Sequence, residues 1–217
     1  MQEHSDEYIR IRPLTRFIKR SFDLVVSFCA LLVLSPFFLI IAIIICCNTR
    51  GPAFFSQKRV GRHGKLFKLH KFRSMVVNDR CEQVYITAKN DERITKVGAF
   101  IRKYKIDELP QFYDVFRGKM SIVGPRPEVP EYVALYTKEQ RRVLSVKPGI
   151  TDPASIRFID EEQILAASKE PEKTYTKQIL PRKLRLGLNY VKHISFWHDI
   201  KIMFATFFSI LKKSKKK

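Results

Sequence analysis

Acidic residues are scarce in this sequence. Its 217 positions hold 21 Asp and Glu against 41 Lys and Arg, a formal charge of +20. An excess of that size is more than a merely soluble basic face needs, and it points to anionic partners: nucleic acid, acidic lipid headgroups or phosphate-bearing substrates. Cysteine is scarce as well. Cys29, Cys46 and Cys47 lie in an apolar run and Cys81 in a polar context, and no spacing suggests a zinc site or a disulfide framework. The four read as small buried hydrophobes in a reducing compartment, without chemistry of their own. There is no internal repeat and no low-complexity stretch beyond the closing KKSKKK. Hydrophobic residues at 45% and charged residues at 29% exclude wholesale disorder, and the length suits one functional unit with an embedded segment.

The longest uncharged apolar run extends from Leu24 to Cys47. As a straight helix these positions extend roughly 36 Å, enough to cross a bilayer. A cleaved signal peptide is not expected, because the run is too long, starts too late and lacks a small-x-small cleavage pattern. Ser35-Pro36 sits at its centre, where proline removes a backbone donor and predicts a kink or break. Both flanks are basic, with Arg10, Arg12, Arg16, Lys19 and Arg20 before and Arg50, Lys58, Arg59, Arg62 and Lys65 after. Since positive residues favour the cytoplasmic side, two basic flanks suit a segment that enters and leaves on one face. A kinked single crossing is the alternative.

Beyond this run, PAFFSQKRVGRHGKLFKLHKF predicts a basic β-hairpin turning near Gly61 and Gly64. Residues 76–92 read as a polar connection, and Thr95 to Tyr104 as a short amphipathic helix. Asp107 is placed to cap a helix that tolerates Pro110 in its first turn and stops at Gly118. IVGPRPEVPEY must be extended or turning. A further helix is expected from Lys138 to Val146. The aromatic segment Ser195 to Leu211, followed by lysines, predicts a helix suited either to the headgroup region or to the protein's own core.

Lys71, Arg73, Arg102, Asp107, Glu108 and Arg126 form the most suggestive cluster. Phosphoryl transfer needs cations to neutralise oxygen charge, an anionic nucleophile and a carboxylate for a metal, and these residues contain every part. A helix cap with a solvated acidic neighbour is the plainer reading of Asp107-Glu108. A membrane-tethered protein that holds nucleic acid or acidic lipid without catalysis would also account for the charge, though not for the prolines, glycines and carboxylates.

These residues fall within an ordered series: KRSFD at 19–23, Ser35-Pro36, QKRVG at 57–61, KFRSM at 71–75, DERITKVGAFIRK from Asp91, DELPQ from Asp107, GKMSIVGPRP from Gly118 and KPGIT at 147–151. With them the chain resembles the bacterial sugar transferases of the monotopic phosphoglycosyl transferase superfamily. The resemblance implies an α+β, predominantly helical fold: an N-terminal extension (1–18), a re-entrant membrane helix broken at Ser35-Pro36 (19–49), and a catalytic domain (50–217) with a β-hairpin, amphipathic interfacial helices and a basic tail. It implies a cytoplasmic-face enzyme of the bacterial inner membrane, acting on a UDP-sugar and a polyprenyl (undecaprenyl) phosphate at an anionic lipid bilayer, with no nucleic acid. Asp107 matches the nucleophile that takes up the phosphosugar with release of UMP in a ping-pong reaction, and Glu108 the residue that assists and helps hold Mg²⁺. Lys71, Arg102 and Arg126 match phosphate-contacting cations. Arg73 and Arg59 are weaker candidates, with ion pairing expected for Arg59. Asp114, Lys119, Asp152, Gly187 and the segment PASIRFIDEEQILAA depart from the family pattern, which leaves the sugar open.

Overall fold

The computed structural model describes residues 8–76 and 93–215, with side chains as far as residue 212. Helix α1 (Pro13–Asn48) leads into an antiparallel hairpin of β1 (Phe54–Val60) and β2 (Leu66–Phe72). Helix α2 (Lys96–Lys103), a 3₁₀ turn at Ile106–Glu108 and α3 (Gln111–Phe116) follow. Next come β3 (Ser121–Val123), α4 (Pro130–Ala134), α5 (Lys138–Arg141), β4 (Gly149–Thr151), α6 (Pro153–Arg157), α7 (Glu161–Ala166) and α8 (Pro171–Thr174). Helices α9 (Leu180–Lys192) and α10 (Phe196–Lys215) end the chain. The fold is mostly helical with the expected hairpin, and the described residues add a second small sheet, of β3 and β4, that was not expected. The hairpin turns where His63 and Gly64 take positive φ of 56° and 74°. Thr95 caps α2 by accepting a hydrogen bond from the Gly98 amide at 2.8 Å. The anticipated polar connection lies, from residue 77 to 92, outside the described residues.

The second sheet ties two proline-rich segments together. Strands β3 and β4 are parallel, with Ser121 opposite Gly149 and Val123 opposite Thr151. The Gly149 amide then donates to the Pro125 carbonyl at 3.0 Å. A Cβ on Gly149 would lie 2.1 Å from the Gly124 nitrogen, so this approach requires glycine and sets the path of the chain into Arg126.

Helix α1 begins at Pro13 and so carries the expected boundary at residue 18 inside it. It also passes through Ser35 and Pro36 as one helix, so of the expected kink or break the chain shows no break. Pro36 has no amide for the Leu32 carbonyl, and the Ser35 hydroxyl donates to that same carbonyl at 2.8 Å. The orphaned acceptor is thereby satisfied and the helix continues.

One stripe of α1 faces the rest of the protein along its length. Phe22 and Val26 join a core of Phe67, Leu69, Val115, Met120, Ile122 and Tyr190, while Phe38, Ile41 and Ile45 pack with Phe72 and Ile101. Each fully buried side chain of this kind contributes about 1.5–3 kcal/mol. Polar contacts pin both ends. Buried Asp23 accepts from the Ile122 amide at 3.0 Å and the Ser121 hydroxyl at 3.2 Å, and Arg20 donates to the Val115 and Phe116 carbonyls. At the other end Arg73 donates to the carbonyls of Ile45, Thr49 and Arg50. The opposite stripe, including Val25, Leu32, Val33, Phe37, Leu39 and Ile43, is exposed, and no charge interrupts it from Leu24 to Cys47. Helix α10 repeats the pattern, with Ile202 buried and Trp197, Phe204, Phe207 and Phe208 exposed.

Candidate active site

The chain leaving α2 reverses at Lys105, whose φ of 59° is left-handed, and enters the 3₁₀ turn that carries both carboxylates. Asp107 and Glu108 are buried, with only 5% and 7% of their surfaces exposed. Asp107 does not cap the next helix as its position suggested. The Leu109 amide is bonded to the Ile106 carbonyl at 3.1 Å, and Pro110 has no amide to offer, so neither usual capping donor is free. Its Oδ1 is buried without a hydrogen-bond partner. An unpaired buried carboxylate oxygen is costly and is retained where something outside the protein engages it.

Glu108 is in the opposite condition. Arg126 grips it with both nitrogens, Nη2 to Oε1 at 2.5 Å and Nη1 to Oε2 at 3.4 Å, and Lys71 Nζ reaches Oε1 at 3.0 Å. Burial alone would raise its pKa, but Arg126 and Lys71 outweigh that and hold it well below the ordinary carboxylate range. Asp107 is raised, by burial first and by the Glu108 charge second, with Lys71, Lys105 and Arg102 pulling the other way. The site therefore sets a clamped carboxylate, held ionised to well below the ordinary range, beside a less stabilised one with a free oxygen.

The remaining expected cations divide. Arg126 and Lys71 meet the carboxylates. Arg102 lies close enough to influence Asp107 but is bonded to Glu162 of α7 at 2.6 Å. Arg73 is not part of this cluster: it is buried and its guanidinium closes the C-terminus of α1, where unpaired carbonyls and the helix dipole favour a cation. Arg59 ion-pairs as expected, with Glu128 at 3.6 Å.

Behind Arg126 the fold adds residues that were not singled out from the sequence. Glu128 accepts from Tyr175 at 2.6 Å and pairs with Lys183 at 3.5 Å, and Lys183 also reaches Glu161 at 3.1 Å. Glu128 had a signal, two positions after Arg126 in the proline-rich segment; nothing local marks Lys183 on α9. Asp152 lines a cavity of about 30 Å³ with Arg126 and Lys183, faces the start of α6, and leaves Oδ1 unpartnered. Burial pushes its pKa up to about 6. The folded state thus keeps a proton that the unfolded chain loses near 3.8, and this group's contribution to stability falls as pH rises from about 4 to about 6. Asp152→Asn is expected to remove that slope and to stabilise the protein above pH 6 by about 2 kcal/mol, measured by thermal denaturation in detergent from pH 4 to 8.

Among the described residues no group of three or more His, Cys, Asp or Glu side chains comes together as a metal cage. Two adjacent carboxylates, one with a free oxygen, fit a different arrangement: a divalent cation held by one or two carboxylates and completed by substrate phosphate oxygens.

Three relatives share this chain's sequence over most of its length. It is 39% identical over 198 residues (88% of the chain) to a UDP-glucose:undecaprenyl-phosphate glucose-1-phosphate transferase of Klebsiella pneumoniae. It is 36% identical over 214 residues (92% of the chain) to an undecaprenyl-phosphate galactose phosphotransferase of Salmonella typhimurium. A third, at 34% over 204 residues (92% of the chain), is a UDP-N-acetylgalactosamine-undecaprenyl-phosphate N-acetylgalactosaminephosphotransferase of Aeromonas hydrophila. The matches cover 39%, 41% and 45% of these relatives, so the chain spans about two fifths of their length. The buried Asp-Glu pair, the arginine that clamps it and the glycine contact that positions that arginine all lie inside residues 14–213, the region matched by the family model described as bacterial sugar transferase, and the chain belongs to that family.

Proposed function

We propose that the chain transfers a sugar 1-phosphate from a UDP-sugar to a polyprenyl phosphate, releasing UMP, with Asp107 as nucleophile. The observation that carries this reading is the unpartnered Asp107 Oδ1 beside a Glu108 whose charge is already neutralised by Arg126 and Lys71. A carboxylate oxygen attacks the β-phosphorus, the bond from that phosphorus to the bridging oxygen breaks, and UMP departs with the electron pair. The aspartyl phosphosugar is an activated anhydride. The acceptor's phosphate oxygen then attacks the same phosphorus and returns Asp107 as a carboxylate. Arg126 and Lys71, held in place by Glu108 before the substrate arrives, face the oxygens on which charge develops. Glu108, whose Oε2 is bonded only loosely, at 3.4 Å, would hold Mg²⁺ together with the diphosphate, and the ion would supply further charge neutralisation when bound.

The apolar outer stripe of α1 supports placement of this site at a bilayer surface. Asp23 and Ile45 are roughly 33 Å apart on a straight helix, yet both are fixed to the same body. A helix that leaves a domain to cross a bilayer is held at one end; one held at both ends and exposed along one face is suited to entering lipid from a single side. We read that side as the cytoplasmic face of the inner membrane, where the flanking cations belong. The soluble donor and the lipid acceptor then meet without either crossing.

The direct test is incubation with a panel of UDP-sugars and Mg²⁺, with and without polyprenyl phosphate. A stoichiometric release of UMP without acceptor, turning over when acceptor is added, is expected; UMP formation only in the presence of acceptor would overturn the ping-pong order. Glu162 gives a second check. Its pair with Arg102 is half exposed, and such pairs are worth at most about 1 kcal/mol, so a substrate phosphate can displace it. Glu162→Gln should therefore lower KM for the UDP-sugar by about two- to fivefold and leave kcat unchanged.

A further inference from the structure

A second basic site lies away from the carboxylates. Lys58 and Lys68 face each other across the hairpin, and with Arg117 and Lys119 they line an open groove of about 430 Å³ floored by His70 and Asp114. Like charges directly opposite on paired strands repel, and none of these four cations has a carboxylate partner among the described residues. Among the described residues the one carboxylate lining the groove is already committed: Asp114 accepts from the His70 amide at 2.9 Å and contacts its Nδ1 at 2.7 Å. Side chains alternate along a strand, so Lys68 and His70 point away from the face on which Lys71 meets Glu108. The groove is therefore not an extension of the active site.

Its wall is fastened to the apolar helix. Arg20 of α1 holds the last carbonyls of α3, and Phe116, next to Arg117, packs on Phe28 within the uncharged run. Leu66, at the groove's edge, is 60% exposed. Four cations without a carboxylate partner among the described residues thus sit where an apolar, lipid-suited surface gives way to a polar one, and the volume is that of a small-molecule site. We propose that this groove binds the phosphate of an anionic phospholipid headgroup, which locks the domain against the bilayer beside α1. The proposal rests on the membrane placement given above and adds the site and the chemistry of the lipid it selects.

The full chain, reconstituted with mixed phosphatidylcholine and phosphatidylglycerol and extracted in mild detergent, is to be weighed by native mass spectrometry. Wild type should retain phosphatidylglycerol over phosphatidylcholine by at least about fivefold, a preference of about 1 kcal/mol. Lys58→Gln/Lys68→Gln and Arg117→Gln/Lys119→Gln, on different elements, should each bring that preference close to one. Lys138→Gln/Arg142→Gln, which removes the same charge from exposed positions elsewhere, should leave it intact. Survival of the preference in both groove variants overturns the proposal, and so does equal loss in the control, which would mean that net charge alone is sensed. Displacement of the lipid by millimolar inorganic phosphate would show a soluble-phosphate site and also overturn it. UMP release in detergent separates this result from the transferase reading: groove variants should keep it within about twofold. A chain that retains the lipid but never releases UMP sinks the transferase alone; one that releases UMP without lipid preference sinks the groove alone.

Discussion

Asp107→Asn is expected to abolish UMP release while leaving the protein at least as stable as wild type. If Asp107 is the nucleophile proposed above, its loss removes the reaction path, and a fall of at least about 10³-fold in the acceptor-free burst is anticipated, with no phosphosugar adduct by intact-mass analysis. Stability moves the other way because Asp107 is raised by burial and by the Glu108 charge, so its ionised form is disfavoured in the folded state. A neutral amide of the same shape relieves that penalty, and the melting temperature in detergent should hold or rise. The same direction predicts that wild-type activity declines on acidification at a higher pH than an ordinary carboxylate would dictate. A full burst from Asp107→Asn would remove this residue from the mechanism, whereas lost activity accompanied by a lower melting temperature would indicate mere unfolding.

Arg126→Met should damage both stability and turnover. Glu108 is buried, and removing one partner of a buried pair leaves a charge poorly compensated, at a cost of about 3 kcal/mol. The pH dependence identifies the cause. In wild type the folded-state pKa of Glu108 lies well below the unfolded value of 4.5, so its contribution is present above 4.5 and is lost as pH falls through the folded value. The gap in stability between wild type and Arg126→Met should be widest at neutral pH and narrow below 4.5. A gap independent of pH would point to lost packing. Turnover should fall by about 10² to 10³, because in the proposed mechanism the same guanidinium stabilises the reacting phosphate. Arg126→Lys should recover part of the stability but little of the rate, since an ammonium cannot grip both carboxylate oxygens.

The local signals were accurate where one stretch of backbone decides the outcome. Alternating residues around Gly61 and Gly64 produced the hairpin, and Thr95 before an amphipathic stretch produced a capped α2. Two expectations failed because a neighbour intervened. Pro36 did not break α1, the harder of its two expected effects, because the adjacent Ser35 hydroxyl serves the carbonyl that proline leaves bare. Asp107 did not cap a helix because Leu109 is already bonded and Pro110 has no donor.

Residue order alone determined the charge of the chain, its uncharged N-terminal run and the adjacent carboxylates with cations spread on either side, because these are properties of composition and spacing. Which cation serves which carboxylate was decided only in three dimensions. Arg73 lies two residues from Lys71 in sequence, yet one closes a helix and the other meets Glu108; Arg126, far along the chain, is delivered to Glu108 by the contact of two glycine backbones. Coulombic pairing falls off with distance through space and is indifferent to separation along the chain, so it becomes readable only when the backbone has folded.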